Sequence, residues 1–135
     1  MVEKAWDRVA DARTRIENLS VSETVAELEA GTAILVDIRD VRERIRDGAI
    51  PGSVHAPRGM LEFWIDPASE YHRDVFSPDR RYILYCAGGG RSALAADVMR
   101  EMGYPDVAHL DAGIEGWKAA GREVEDIDPP ARWRT

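Results

Sequence analysis

Hydrophobic positions along the chain switch repeatedly between helical spacing and short continuous runs. Val2, Ala5, Trp6, Val9, Ala12 and Ile16 recur at helical spacing and predict an amphipathic helix over 3–15 that packs on the rest of the chain. Ser20-Val21-Ser22-Glu23 fits a capping box, and the helix it opens runs to about Ala30 and stops at Gly31. Ala33-Ile34-Leu35-Val36 is an uninterrupted apolar run ending at Asp37, the pattern of a strand covered on both faces. A short polar helix over 40–46, a Gly/Pro loop over 48–52 and a short strand Ser53–Ala56 follow. Leu61, Phe63, Trp64 and Ile65 suggest a helical turn with Phe63 and Trp64 in the core, broken at Pro67. Tyr82–Tyr85 and Val107–Leu110 are two further buried-type strands. Between them lies a helix with Leu94, Ala95, Val98, Met99 and Met102 on one face, closed by Gly103 and Pro105. A last helix spans about 113–119 and stops near Gly121. Residues 123–135, with Pro129 and Pro130 and no periodicity, read as an extended or partly disordered end. Strands alternating with helices predict an α/β domain with helices on both faces of the sheet. The organisation read from this is a helical extension (1–15), one domain (16–122) and a tail (123–135).

A chain of 135 residues is one domain by length and buries enough surface to need no metal or disulfide. The net charge of −7 argues against general nucleic-acid binding. Arg39, Arg42, Arg44 and Arg46 are close in sequence, but Asp40, Glu43 and Asp47 interleave with them, which reads as a solvated mixed-charge face. No apolar run approaches a membrane span, and the N-terminus lacks the apolar core of a signal peptide. A single cysteine cannot form an internal disulfide, so the expected setting is a reducing cytoplasm. His55, His72 and His109 show no metal spacing. No metal or cofactor is expected, and His55 and His109 read as hydrogen-bonded structural residues.

The chemistry concentrates where the second buried strand ends: Cys86-Ala87-Gly88-Gly89-Gly90-Arg91-Ser92, followed directly by a helix. In open α/β sheets ligands bind beyond the carboxyl ends of the strands. Glycines let a loop curl so that backbone N–H groups point inward, and such a nest binds anions. The helix N-terminus adds its positive dipole end, and Arg91 adds a fixed positive charge. The charged form of a thiol, or an anionic Cys–S–S⁻, gains these hydrogen bonds. An inert buried cysteine lacks such electropositive surroundings. No histidine stands beside Cys86 in sequence, although folding can supply a base. Asp37 and Arg39 either orient the active-site loop or form a structural ion pair, and the structural reading is favoured. Arg58 either reaches the pocket mouth, where it would attract an anionic donor, or is a surface arginine.

Three stretches together resemble the rhodanese-like family. Val36-Asp37-Ile38-Arg39 with Gly48-Ala49-Ile50-Pro51-Gly52-Ser53 and His55-Ala56 is similar to its N-terminal signature. The Cys86 loop is similar to its active-site loop. Asp111-Ala112-Gly113-Ile114-Glu115-Gly116-Trp117 is similar to its C-terminal signature, with Asp111 where many members differ. The resemblance covers about residues 16–121. It implies a rhodanese-like fold with a central, mainly parallel sheet, Cys86 as a persulfide-forming nucleophile, and Ala87 to Arg91, with Ser92, as the substrate-binding loop. It also implies a small sulfur donor such as thiosulfate or a persulfide, and a thiol or protein acceptor. Two other classes stay open. Cys-based phosphatases and arsenate reductases use the longer Cys-x5-Arg loop, against Cys-x4-Arg here, and no aspartate general acid is evident. A persulfide-carrier or regulatory binding module would use the same residues.

Overall fold

A computed structural model describes residues 1–133. Five strands form one sheet: β1 (Glu17–Leu19), β2 (Ile34–Asp37), β3 (Val54–His55), β4 (Tyr82–Tyr85) and β5 (Val107–Leu110). Their order across the sheet is β1-β5-β4-β2-β3, and every pairing is parallel. Helices α1 (Ala5–Arg13), α2 (Val21–Ala30), α3 (Val41–Asp47), α4 (Leu61–Ile65), α5 (Gly90–Glu101) and α6 (Gly113–Ala119) connect and cover it. None of the described helices is long and apolar enough to cross a membrane.

The central strands show why apolar runs without alternation become buried strands. Side chains alternate faces along a strand, so a run covered on both sides is apolar at every position. Tyr82 and Leu84 join Val36, Leu61, Phe76 and Met99 in the core under α4 and α5. Ile83 and Tyr85 join Leu35, Ile50, Leu110 and Trp117 in the core under α2 and α6. Cys86 continues this alternation onto the α5 side. The period of two therefore decides which face of the sheet receives the thiol.

The α2 capping box forms as its sequence predicts: Ser20 Oγ accepts from Glu23 N and Glu23 returns to Ser20 N. Asp40 and Glu43 build a second one at the start of α3.

Two local expectations, on the buried face of α5 and on Phe63, are revised, and two features, β1 and the anchoring of the tail, are added. Strand β1 has no apolar pattern: only Leu19 is buried, and pairing with β5 alone makes Glu17–Leu19 a strand. Met102 is 43% exposed. The buried residues of α5 are Ser92, Ala93, Ala95, Ala96, Asp97 and Met99, with α1 packing on Ala93 and the sheet core holding Ala95, Ala96 and Met99. Phe63 is half-exposed and sits edge-on to Tyr71, because the five-residue α4 buries Leu61 and Ile65 instead. The tail is tied to the domain: Glu125 and Ala49 exchange two backbone hydrogen bonds of 2.8 and 2.9 Å.

At the amino end of the sheet, Arg81 is held by Glu17, Glu27 and Asp106. Of these carboxylates, Glu17 starts β1, Asp106 precedes β5 and Glu27 lies near the end of α2, so one guanidinium just before β4 ties together the starts of three strands and the end of a helix. Their hydrogen bonds raise its pKa well above the ordinary arginine value.

Candidate active site

Cys86 is the first residue after β4, and its side chain is 1% exposed. The chain turns sharply through Ala87–Gly89 and enters α5 at Gly90. Gly89 has φ +100°, and a Cβ there would run into the Asp111 carbonyl, so both the backbone angle and the close approach require glycine. The outer side of the turn is pinned by α6: Ile114 N donates to Cys86 O at 3.0 Å and Glu115 N to Ala87 O at 3.1 Å. Gly113, at φ +64°, lets that helix start lie directly against the Ala87 carbonyl. The loop is thus clamped between two helix N-termini.

The sulfur accepts hydrogen bonds from Gly89 N at 3.2 Å and Ser92 N at 3.4 Å. Of the expected donors Ala87 to Arg91, Gly89 reaches Sγ, and the second donor comes from Ser92 one turn into the helix. Cys86 Sγ also lies 3.6 Å from Ser92 Oγ.

Ser92 leads to a group that sequence spacing could not place. Its hydroxyl lies 2.8 Å from His109 Nδ1, and His109 Nε2 lies 2.7 Å from Asn18 Oδ1. The Asn18 amide nitrogen donates to Arg13 O and Ile16 O, which turns its oxygen toward the imidazole. His109 Nε2 therefore carries the proton, and Nδ1 accepts from the Ser92 hydroxyl. Burial lowers the His109 pKa to about 4, against the opposing pull of Asp111, so the ring is neutral near pH 7. His109 follows Ala108 in β5, and register with β1 brings it opposite Asn18. The hydrogen-bonded role expected for His109 is present, and the same bonds link it to the thiol.

Arg91 and Cys86 line one pocket of about 290 Å³ together with Trp6, Val9, Leu94, Gly88 and Gly90. The Arg91 guanidinium does not stand free in it. Both of its terminal nitrogens are 2.9 Å from the two Glu43 carboxylate oxygens. The fixed positive charge expected of Arg91 is present but paired with a residue 48 positions earlier, which no local pattern signals.

Asp37 and Arg39 lie outside that pocket, in a closed cluster at the end of β2. Asp37 accepts from Arg39 N, Nε and Nη2, from Arg44 Nη1 and from Tyr85 Oη. Burial alone would raise its pKa, but the Arg39 hydrogen bonds and charge outweigh it and hold the carboxyl below its usual range. Burial, reinforced by Asp37, pushes Tyr85 up to about 12. His55 Nε2 contacts Arg39 O at 2.7 Å. The structural role expected of this pair is the one observed.

Arg58 does not reach the mouth of the Cys86 pocket. It begins the 3₁₀ turn Arg58–Met60 and pairs with Glu62 one helical turn on, at 2.6 Å. It lines a different, charged cleft with Arg8, Asp11, Arg15 and Asp97.

A family model, the Rhodanese-like domain, matches residues 20–120. The chain belongs to the rhodanese-like family. Within it, the chain is 32% identical over 104 residues to the thiosulfate sulfurtransferase GlpE of Shewanella oneidensis, covering 77% of this chain and 94% of that protein. It is 27% identical to the tRNA uridine(34) hydroxylase of Cronobacter sakazakii over 87% of this chain, but spans only 33% of that protein's length. Among solved structures, a Rhodopseudomonas palustris protein of unknown function, titled a possible tyrosine phosphatase, superposes with a TM-score of 0.88 at 43% identity, covering 93% of this chain and 96% of that one. The human single-domain sulfurtransferase TSTD1 shares the rhodanese-like fold, with a TM-score of 0.66 at 23% identity over 76% of this chain and 95% of that one.

Proposed function

We propose that this rhodanese-like protein is a sulfurtransferase that carries sulfur as a persulfide on Cys86. The observation that carries the reading is the sulfur itself. It lies at the carboxyl end of a central strand, receives N–H groups from Gly89 and Ser92, and faces a pocket at a helix N-terminus. Such a site suits a sulfur anion. The likeness to thiosulfate sulfurtransferases over most of their length supports the same chemistry.

In the first half-reaction the Cys86 thiolate attacks the sulfane sulfur of a donor. The donor's S–S bond breaks, and its remainder leaves with the electron pair, as sulfite does from thiosulfate. In the second, a nucleophilic acceptor attacks the outer sulfur, the Cys86 S–S bond breaks, and the thiolate is regenerated. Neither half-reaction needs an external oxidant or reductant. Two half-reactions joined by a covalent intermediate give ping-pong kinetics. With no second cysteine in the chain, the acceptor must come from outside.

The phosphatase reading is kept because of the Rhodopseudomonas protein. The site supports it less well. Transfer of a phosphoryl group needs a cation facing its oxygens and an acid for the leaving group. Arg91 is engaged at both ends by Glu43, and none of the pocket-lining residues is an acid.

Intact mass after incubation with thiosulfate or glutathione persulfide tests the assignment. The expected result is a gain of one sulfur that cyanide removes and that Cys86→Ser does not show. Hydrolysis of an aryl phosphate without any sulfur uptake would overturn it in favour of the phosphatase.

A further inference from the structure

Helix α1 lies outside the family-model match, which begins at residue 20. It nevertheless builds one wall of the Cys86 pocket. Val9 and Ala12 bury against Ala93 of α5. Just beyond, Arg13 bonds Asp111 at 3.0 Å and Arg15 bonds Asp97 at 2.8 Å. This anchoring lays Trp6 over the first residue of α5. A Cβ added at Gly90 would stand 2.9 Å from the indole ring, so glycine is what permits the approach. Yet Trp6 remains 69% exposed. Trp6 lines the pocket and keeps most of its surface exposed, which leaves apolar contact area unused.

The rest of the pocket points the same way. Ala5, Val9 and Leu94 are aliphatic, and Gly88 and Gly90 contribute no side chain. The single charged residue lining it, Arg91, is occupied by Glu43. A second carboxylate, Glu115, stands beside the loop, 3.4 Å from where a Cβ on Gly88 would be. A dianion finds no unpaired cation here and meets an overall charge of −7. An uncharged apolar group finds an indole face and aliphatic walls in a space of about 290 Å³, the size of a small organic molecule.

We propose that the pocket between α1 and the Cys86 loop receives small thiols whose sulfur is carried on an uncharged, apolar body, and that Trp6 selects for that body. The proposal rests on the sulfurtransferase reading. The thiolate R–S⁻ attacks the outer sulfur of Cys86–S–SH, the Cys86 S–S bond breaks with its electron pair on Sγ, and R–S–SH departs. The cysteine is returned as its thiolate, and no other reactant is required.

The test loads the full-length protein with sulfur and follows its unloading by two thiols, phenylmethanethiol and 2-mercaptoethanesulfonate. Rates are corrected for the thiolate fraction of each. The apolar thiol is expected to react about tenfold faster, the effect of burying some tens of Å² of apolar surface. Trp6→Ala should collapse that ratio toward one, and Trp6→Phe should keep most of it. A wild-type ratio near one, or a ratio that Trp6→Ala leaves intact, overturns the proposal. Cyanide, too small to need the wall, separates the two levels of inference. A protein that loads and is unloaded by cyanide without discriminating between thiols sinks this proposal alone. A protein that takes up no sulfur from thiosulfate or glutathione persulfide sinks the sulfurtransferase reading and this proposal with it.

Discussion

At the carboxyl end of β2, Asp37 is surrounded by two arginines and a tyrosine, and five hydrogen bonds from them fill its carboxylate. One strand over, at the end of β4, Cys86 receives two backbone N–H groups and faces an apolar pocket. The two groups are neighbours in the sheet, because Asp37 is in register with Tyr85. Both are buried, and their environments differ in kind. A buried carboxylate is tolerated when its lone pairs are filled by cationic donors, and here two guanidiniums serve one carboxylate, with Arg39 Nη1 buried without a hydrogen-bond partner. The sulfur is met by main-chain N–H groups and the Ser92 hydroxyl rather than by a side-chain ion pair, and it lines a pocket with Trp6, Val9 and Leu94. Dense side-chain ion pairing marks the cluster around Asp37, while a partly open environment marks the candidate site.

The largest expected effect breaks the second half of that contrast. Cys86→Ser should reduce sulfur transfer to background while leaving the thermal unfolding curve nearly unchanged, as measured by thiosulfate–cyanide turnover beside a melt. Wild-type turnover in that variant would refute the assignment.

Breaking the first half should act on stability. Asp37→Ala leaves Arg39 and Arg44 buried without their anion and is expected to destabilise by roughly 3–5 kcal/mol. Denaturant unfolding reads this directly, and a loss below about 1 kcal/mol would show that the cluster relaxes to water.

The pH dependence separates the two regions again. His109 has a folded pKa of about 4, below its unfolded value, so the unfolded chain binds the proton first as pH falls. Its contribution is intact above about pH 6.5 and is lost progressively down to about pH 4, by roughly 3 kcal/mol in all. Asp37 is also depressed, so its contribution is present above the ordinary carboxylate value and is lost as pH falls through that value toward the depressed one. His109→Gln should therefore flatten the stability curve between about pH 4 and 6.5 and leave the more acidic limb. An unchanged upper limb would mean that His109 is not the group titrating there.

Smaller effects probe the cup. Ser92→Ala removes the hydroxyl between Cys86 and His109, and is expected to slow sulfur loading by about tenfold, the range for a lost hydrogen bond at a reacting group. Glu43→Gln should release Arg91 and lower the KM for thiosulfate a few-fold, roughly the worth of one partly exposed ion pair. A thiosulfate KM that does not fall would show that Arg91 has no reach to the donor.

Much of this was legible in the residues, and the exceptions have a common form. The buried strands β2, β4 and β5 announce themselves as continuous apolar runs, and the α2 capping box is complete within four residues. The Cys86 loop is likewise written locally, since glycines at a strand-to-helix junction have few other uses. Of the two places open to Arg58, the pocket mouth and the surface, the turn after β3 decides for pairing with Glu62. The pairing of the fixed charge on Arg91 is not legible locally, because its partner Glu43 is distant in the chain. His109 was recognised as hydrogen-bonded, but its link through Ser92 to the thiol depends on β5 lying between β1 and β4.

What the sequence by itself determined is the list of elements, the α/β class, the rhodanese-like membership and the strand-to-helix loop that carries the chain's one cysteine. These follow from patterns within a turn of helix or a few strand positions, where neighbours in sequence are neighbours in space. The tertiary structure alone decided which arginine is paired, which histidine meets the thiol's neighbour and which side chain of α1 overhangs the pocket. Those are contacts between residues 48, 17 and 84 positions apart, formed by parallel pairing and helix packing. Parallel strands require crossovers, so the partners at the carboxyl end of the sheet necessarily come from distant parts of the chain.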